Sequence, residues 1–283
     1  MARVLGIGDN TVDIYVDRGM QFPGGNAVNV AVLAKRLGAD AGYLGCLGRD
    51  PLGDLIHDSL VEEGIDLTRL RRIDGPNAWC RIKHDGNDRR FAGSIPGVRG
   101  RYDLNAADDA YIGSFDVAHT GISSDLDGEL ARIAEQAPLL SYDYSEYWRT
   151  RDIEGTYSHV DIAFMSYPDA SDEACRALMA DVMGKGVSKL VVATRGARGS
   201  CAWMNGQFYV EGIRPATIVD TLGAGDGFIA GFLVSFLKDS DPVTALAAGA
   251  DNAARACAYQ GAFGHGRPIA PGQPGLEPPL APT

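Results

Sequence analysis

The stretch Val219-Asp220-Thr221-Leu222-Gly223-Ala224-Gly225-Asp226-Gly227-Phe228 constrains the fold more than any other part of the chain. Two acidic residues bracket a glycine-rich turn, which runs straight into the apolar residues Phe228, Ile229, Ala230, Phe232 and Leu233. This pattern predicts a loop followed by the first turn of a buried helix. Glycine lets the backbone approach a ligand closely, and the first N–H groups of a helix lack intrahelical partners, so together they make an anion site. Asp226 is then placed to take a proton from a hydroxyl. The N–H groups of Gly223, Ala224 and Gly225 would hold the phosphoryl group that the hydroxyl attacks. The plain alternative is a glycine turn with an aspartate as helix N-cap.

The rest of the chain predicts an alternation of strands and helices. Val4 to Ile7 is a short apolar run, Asn29 to Leu37 has helical period and stops at Gly38, and Ala41 to Leu47 is a second strand. Gly53 to Glu63 predicts a helix closed by Gly64, and Trp79 to Lys83 with Arg89 to Phe91 predicts a hairpin around Asp85-Gly86-Asn87. Further strands are expected at Val117 to His119, Leu139 to Tyr142, Ile162 to Met165 and Lys189 to Ala193. The alternation predicts an α/β fold with a mostly parallel central sheet and helices on both faces. Segments 14–22 and 77–98 fall outside it and predict a small β lid. Residues 1–263 would form one domain, and the Pro- and Gly-rich residues 264–283 a tail that packs as no element.

Several functional classes are excluded. A net charge of −11 argues against nucleic acid, although a local loop and a bound metal can still hold a nucleotide. No run of eighteen apolar residues exists and the N-terminus reads directly into a strand, so no membrane association and a cytoplasmic location are expected. The five cysteines and five histidines are scattered, which speaks against a disulfide framework or a zinc cluster. There is no Gly-x-x-x-x-Gly-Lys-Ser/Thr, and Gly6-x-Gly8 lacks the third glycine of a dinucleotide fingerprint.

Three further clusters carry chemistry. Gly8-Asp9-Asn10-Thr11-Val12-Asp13 follows the first strand, at the sheet edge where open α/β folds bind ligands; Asp9 by itself reads as a polar turn residue. Gly24-Gly25-Asn26-Ala27-Val28-Asn29 sets two glycines before a helix, and Asn29 offers both a donor and an acceptor. Thr194-Arg195-Gly196-Ala197-Arg198-Gly199 follows a buried strand; Arg195 and Arg198 either reach a phosphate or are solvated charges.

Together, Asp-Thr-x-Gly-Ala-Gly-Asp at 220–226, the Gly24–Asn29 element and the Thr194–Gly199 loop resemble the ribokinase-like (PfkB) sugar kinases over residues 4–263. The resemblance implies a ribokinase-like three-layer sandwich and transfer of the γ-phosphate of ATP to a primary hydroxyl of a sugar. It makes Asp226 the general base, and Asp13, Gly24, Gly25 and Asn29 the acceptor-binding residues. Thr194, Gly196 and Gly199 would line the ATP channel, with Asn252 either beside the nucleoside or on a helix surface. Asp220 would hold a monovalent cation such as potassium, or simply hydrogen-bond the turn.

There are departures. Ser166-Tyr167-Pro168-Asp169 replaces the family's Asn-x-x-Glu, so indirect magnesium binding would fall to Asp169 or Glu173. Asp143-Tyr144-Ser145-Glu146-Tyr147 lacks the arginine that can face an acidic sugar, and Gly24 comes only eleven positions after Asp13. With Gly-Asp-Asn-Thr-Val-Asp-Ile-Tyr and Gly-Gly-Asn-Ala-Val-Asn-Val-Ala-Val, these features look most like the branch acting on the 6-hydroxyl of fructoselysine. The short lid would leave an opening for the amino-acid arm, with Arg89, Arg90 and Asp88 as its polar contacts, or it would bear only on homodimer formation. A fructokinase, ribokinase or nucleoside kinase is the alternative within the fold, and a non-catalytic sugar-binding regulator is the alternative outside it.

Overall fold

In the computed structural model, residues 1–273 are described except 86, 87, 152 and 188, and the side chains of 85, 88 and 89 are also left aside. The chain opens with β1 (Arg3–Ile7), β2 (Thr11–Tyr15), β3 (Met20–Gly24), β4 (Asp40–Leu44) and β5 (Cys46–Gly48). It continues through β6 (Arg71–Ile73), β7 (Trp79–Asp85), β8 (Asp88–Ile95), β9 (Val117–Gly121) and β10 (Leu140–Asp143). Later come β11 (Ile162–Ser166), β12 (Leu190–Thr194), β13 (Ser200–Met204), β14 (Gln207–Glu211) and β15 (Arg267–Pro268). The α-helices are α1 (Asn26–Arg36), α2 (Pro51–Glu62), α3 (Ala106–Ile112) and α4 (Leu130–Gln136), then α5 (Asp172–Gly184), α6 (Ala224–Asp239) and α7 (Pro242–Ala256).

The main sheet runs β14-β13-β12-β11-β10-β9-β1-β4, with β4 through β12 in that order parallel and β13 and β14 antiparallel. Its two faces follow from the period of two along each strand. Ile162, Phe164, Leu190 and Val192 join one apolar cluster with α1, α2, α6 and α7. Their neighbours Ala163, Met165, Val191 and Ala193 join a second cluster with α3, α4 and α5. A sheet buried on both faces by helices is a three-layer sandwich, as expected. The added antiparallel pair β13–β14 was not read from the sequence. Its residues alternate only weakly, and Trp203, Met204, Phe208 and Tyr209 are half-buried.

The lid is a second sheet in the order β15-β3-β2-β7-β8. Its segments were anticipated, but the boundary at 263 is corrected. Arg267 and Pro268 pair antiparallel with Gln21 and Met20, Ile269 N–H donates to Gly19, and Gln273 Nε2 donates to Gln21 Oε1 at 2.5 Å. Proline fits there because β15 is an edge strand, where the missing N–H costs no ladder bond. The tail therefore packs on the lid as far as Gln273, and residues 274–283 lie outside those described.

Candidate active site

Asp226 stands at the third position of α6, half-buried, facing the first turn of α1. Asn26 Nδ2 donates to its Oδ1 at 2.8 Å, and Asn29 Nδ2 donates to its Oδ2 at 2.6 Å. The two asparagines are three positions apart on α1, so both amides lie on one side of the helix. Burial pushes the Asp226 carboxyl up to about 6, against the pull of the two amide donors and with a smaller push from Asp9. This is a carboxylate held in place and poised to accept a proton near neutral pH.

The Asn26 amide has a second carboxylate partner. Its Nδ2 also donates to Asp143 Oδ2 at 3.0 Å, at the carboxyl end of β10, while Ser145 N–H donates to Asp143 Oδ1 at 2.8 Å. Burial, with Asp226 and Asp9 nearby, raises the Asp143 carboxyl to about 7 despite the Ser145 donor. Asn26 Oδ1 lies 3.0 Å from His119 Nε2, and His119 Nδ1 lies 2.9 Å from Ser141 Oγ. Gly121, at the end of β9, leaves room for this arrangement, because a Cβ there would stand 2.8 Å from Asn26 Oδ1. Asp9 holds the start of α1 by accepting from the N–H groups of Asn26 and Ala27 at 2.9 and 3.0 Å, which fits its plain reading as a structural turn residue.

The turn before α6 has the form that the glycines suggested. Gly223 is its N-cap at φ 79°, and a Cβ there would come 2.5 Å from Ala262 Cβ, so neither the backbone nor the packing accepts a side chain. No side chain caps the helix, and the space beside Gly225 is open. An anion can therefore approach this end of α6. Asp220 organises the turn from behind. Its carboxylate accepts from the Tyr15 hydroxyl, from Leu222 N–H at 2.9 Å and from Gly261 N–H at 3.1 Å.

The other anticipated residues divide between the two sides of the site. Asp13 is buried on β2, with Gly24 packed directly against its carboxylate, and Gly24 and Gly25 lead from β3 into α1. Arg90 is exposed on β8, whereas the side chains of Arg89 and Asp88 lie outside those described. Thr194 ends β12, open space lies beside Gly196, and Gly199 packs against the backbone of Glu211 and Gly212. Asn252 is buried rather than on a helix surface, and its Nδ2 donates to Gly227 O at 2.8 Å, clasping α7 to α6. Arg195 is buried and paired with Asp172, so it is not a solvated charge, whereas Arg198 is exposed and donates to Asp169 O at 3.4 Å. Asp169 and Glu173 are both exposed, and no group of three or more acidic, histidine or cysteine ligands gathers among the described residues.

Three members of the site were missed in the sequence. Asn26 sat inside the Gly24–Asn29 motif but was eclipsed by Asn29, whose Nδ2 donates to Asp226 and whose buried Oδ1 has no hydrogen-bond partner among the described residues. Asp143 had a signal, since it ends a strand at the ligand-binding edge of the sheet. His119 had none, because an isolated histidine in a buried strand reads as core.

The fold and the sequence have known relatives. The pfkB family carbohydrate kinase model matches residues 2–265. The chain is 34% identical to fructoselysine 6-kinase of Shigella flexneri, over 93% of this chain and all of that protein. It is 36% identical to a fructosamine kinase of Bacillus subtilis, over 94% of each. Among solved structures, Arabidopsis thaliana ribokinase complexed with ribose and ATP superposes with a TM-score of 0.81 at 20% identity, covering 94% of this chain and 97% of that one. ATP is the phosphoryl donor of this family, whose members act on sugar hydroxyls. With its fold, its Asp226 and its glycine turn accounted for, the chain belongs to the pfkB family of carbohydrate kinases.

Proposed function

We propose that this kinase transfers the γ-phosphoryl group of ATP to the 6-hydroxyl of fructoselysine or a closely related fructosamine, with Asp226 as general base. The observation that carries the chemistry is the Asp226 carboxylate, fixed by Asn26 and Asn29 beside the uncapped end of α6. The sugar oxygen forms a bond to the γ-phosphorus, the bond to the β–γ bridging oxygen breaks, and the hydroxyl proton passes to Asp226. N–H groups of Gly223, Ala224 and Gly225 face the transferring group. Asp13 and the backbone at Gly24 and Gly25 orient the acceptor, and Thr194, Gly196 and Asn252 lie toward the nucleotide. Magnesium on the phosphates would neutralise charge there, with Asp169 or Glu173 as candidates to hold it indirectly through water. The donors on its carboxylate let Asp220 shape the turn, where a monovalent cation such as potassium would add charge opposite the phosphates.

The choice of a fructosamine is supported by the two sugar-amine kinases to which the chain is 34% and 36% identical. It is also supported by the short hairpin of β2 and β3. Its turn spans only Val16 to Gly19, a short reach that would leave an opening for a substituent on C1 of the sugar. An arm bearing a carboxylate needs a cation. Arg90 lies on the lid, and Arg99 carries a buried Nε without a hydrogen-bond partner, its charge felt at Tyr43 and at Cys80, the cross-strand neighbour of Asp13. Steady-state ADP release on fructoselysine, fructose and ribose tests the reading. A kcat/KM for fructose equal to or above that for fructoselysine overturns the acceptor assignment and leaves the kinase family untouched.

A further inference from the structure

The Asn26 amide works only one way round. Its Nδ2 faces two carboxylates, Asp226 Oδ1 at 2.8 Å and Asp143 Oδ2 at 3.0 Å. A half-turn of the amide would point its carbonyl oxygen at both, removing a donor from each and setting like partial charges against them. The carboxylates themselves favour the donor orientation, but they favour it least when Asp143 is protonated, and the carboxyl of Asp143 is raised to about 7. A second anchor is present on the other side of the amide. Asn26 Oδ1 lies 3.0 Å from His119 Nε2.

For that contact to be a hydrogen bond, His119 must carry its proton on Nε2. The remaining nitrogen, Nδ1, lies 2.9 Å from Ser141 Oγ, and in that tautomer it accepts from the serine hydroxyl, so both ring nitrogens are satisfied. His119 is fully buried in β9, and burial holds its imidazole at about 3, so it stays neutral throughout the working range. Asp9, Asp143 and Asp226 are the ionisable groups that meet here from the β1–β2 loop, β10 and α6, with neutral His119 from β9. The His119 ring contacts Asn26, Ser141 and Phe164, so its effect on Asp226 passes through Asn26.

We propose that His119 is a positioning residue of the kinase: through its Nε2–H it locks the Asn26 amide so that both N–H groups face Asp226 and Asp143, keeping the base ionised and aimed. The proposal rests on Asp226 being the base, so its test begins there. In the full-length enzyme, Asp226→Asn must abolish most turnover; if it does not, the base assignment fails and the relay has nothing to serve. With the base confirmed, His119→Leu removes the donor while keeping apolar volume. We expect kcat to fall roughly tenfold to a hundredfold, the scale of a misplaced catalytic group. KM for ATP should stay unchanged, and the acid limb of the pH–rate profile should move to higher pH, because Asp226 loses a reliable amide donor. His119→Gln, whose amide can donate to Asn26 Oδ1, should recover much of both.

Coupling gives the decisive comparison. If His119 acts through Asn26, then adding His119→Leu to Asn26→Ala costs nothing further. Should His119→Leu be insoluble, Ser141→Ala provides the milder variant, with a smaller upward move of the same limb. An unmoved acid limb in His119→Leu or Ser141→Ala overturns the proposal. So does full additivity of the His119 and Asn26 effects on kcat.

Discussion

The hydroxyl of Tyr15, in the lid strand β2, donates to the carboxylate of Asp220, in the turn that opens α6, across 205 positions of sequence. Both residues are buried. The bond ties the second sheet to the turn that opens α6. Gly261 N–H, donating to the same oxygen at 3.1 Å, brings in the loop after α7.

Tyr15→Phe should expose the value of that link. Removing a donor from a buried carboxylate costs about 1.5–3 kcal/mol. Denaturant unfolding should show a loss of that size, and KM for both substrates should rise because the lid no longer reports to the turn. Unchanged stability would mean that Asp220 is satisfied without Tyr15.

Gly223→Ala tests the turn itself. Alanine would have to adopt φ 79° and place its Cβ against Ala262. The strain alone costs about 1–3 kcal/mol. Relief of that strain tilts the first N–H groups of α6 away from the phosphoryl group, so kcat should fall more than KM for ATP rises. A variant with full kcat would show that the geometry of this turn is not used in catalysis.

The pH dependence has a definite sign. A general base works when deprotonated, and the Asp226 carboxyl stands at about 6. In the wild-type enzyme kcat/KM should therefore rise with pH through about 6 and level off above it. Asn29→Ala removes the 2.6 Å donor that favours the ionised form, so its acid limb should move upward. A limb that stays in place, or moves down, would remove Asn29 from the support of the base.

Arg99 offers a test of the arm-binding side. Arg99→Met keeps the length of the side chain and deletes the charge. We expect kcat/KM for fructoselysine to fall about tenfold or more, as for loss of a hydrogen bond to a charged group, with fructose little affected. Equal losses on both acceptors would place Arg99 in the general structure of the pocket and not in recognition of the arm.

Much of this was legible in the chain because it rests on local signals. The strands and helices of the sandwich follow apolar periodicity, and the turn at Gly223–Asp226 is set by glycine and by the apolar run behind it. The pieces that escaped rest on long-range contacts. His119 gains its role only because β9 lies beside β10 and across from the first turn of α1, which no short window of sequence reveals. The donor from Asn29 to Asp226 was equally hidden, because the two residues stand 197 positions apart. The tail misled because its prolines spoke against any element, yet an edge position on β3 tolerates them.

Asp226→Asn is the most direct test. The substitution keeps the shape of the side chain and an oxygen for one of the two amides, but it cannot take the hydroxyl proton. With fructoselysine and ATP, steady-state ADP release should show kcat reduced about a hundredfold or more, the scale of losing a general base. Acceptor binding followed by calorimetry should be little changed, and the acid limb near pH 6 should vanish. A variant that turns over at close to the wild-type rate, with its acid limb intact, would contradict the assignment of Asp226 as the base.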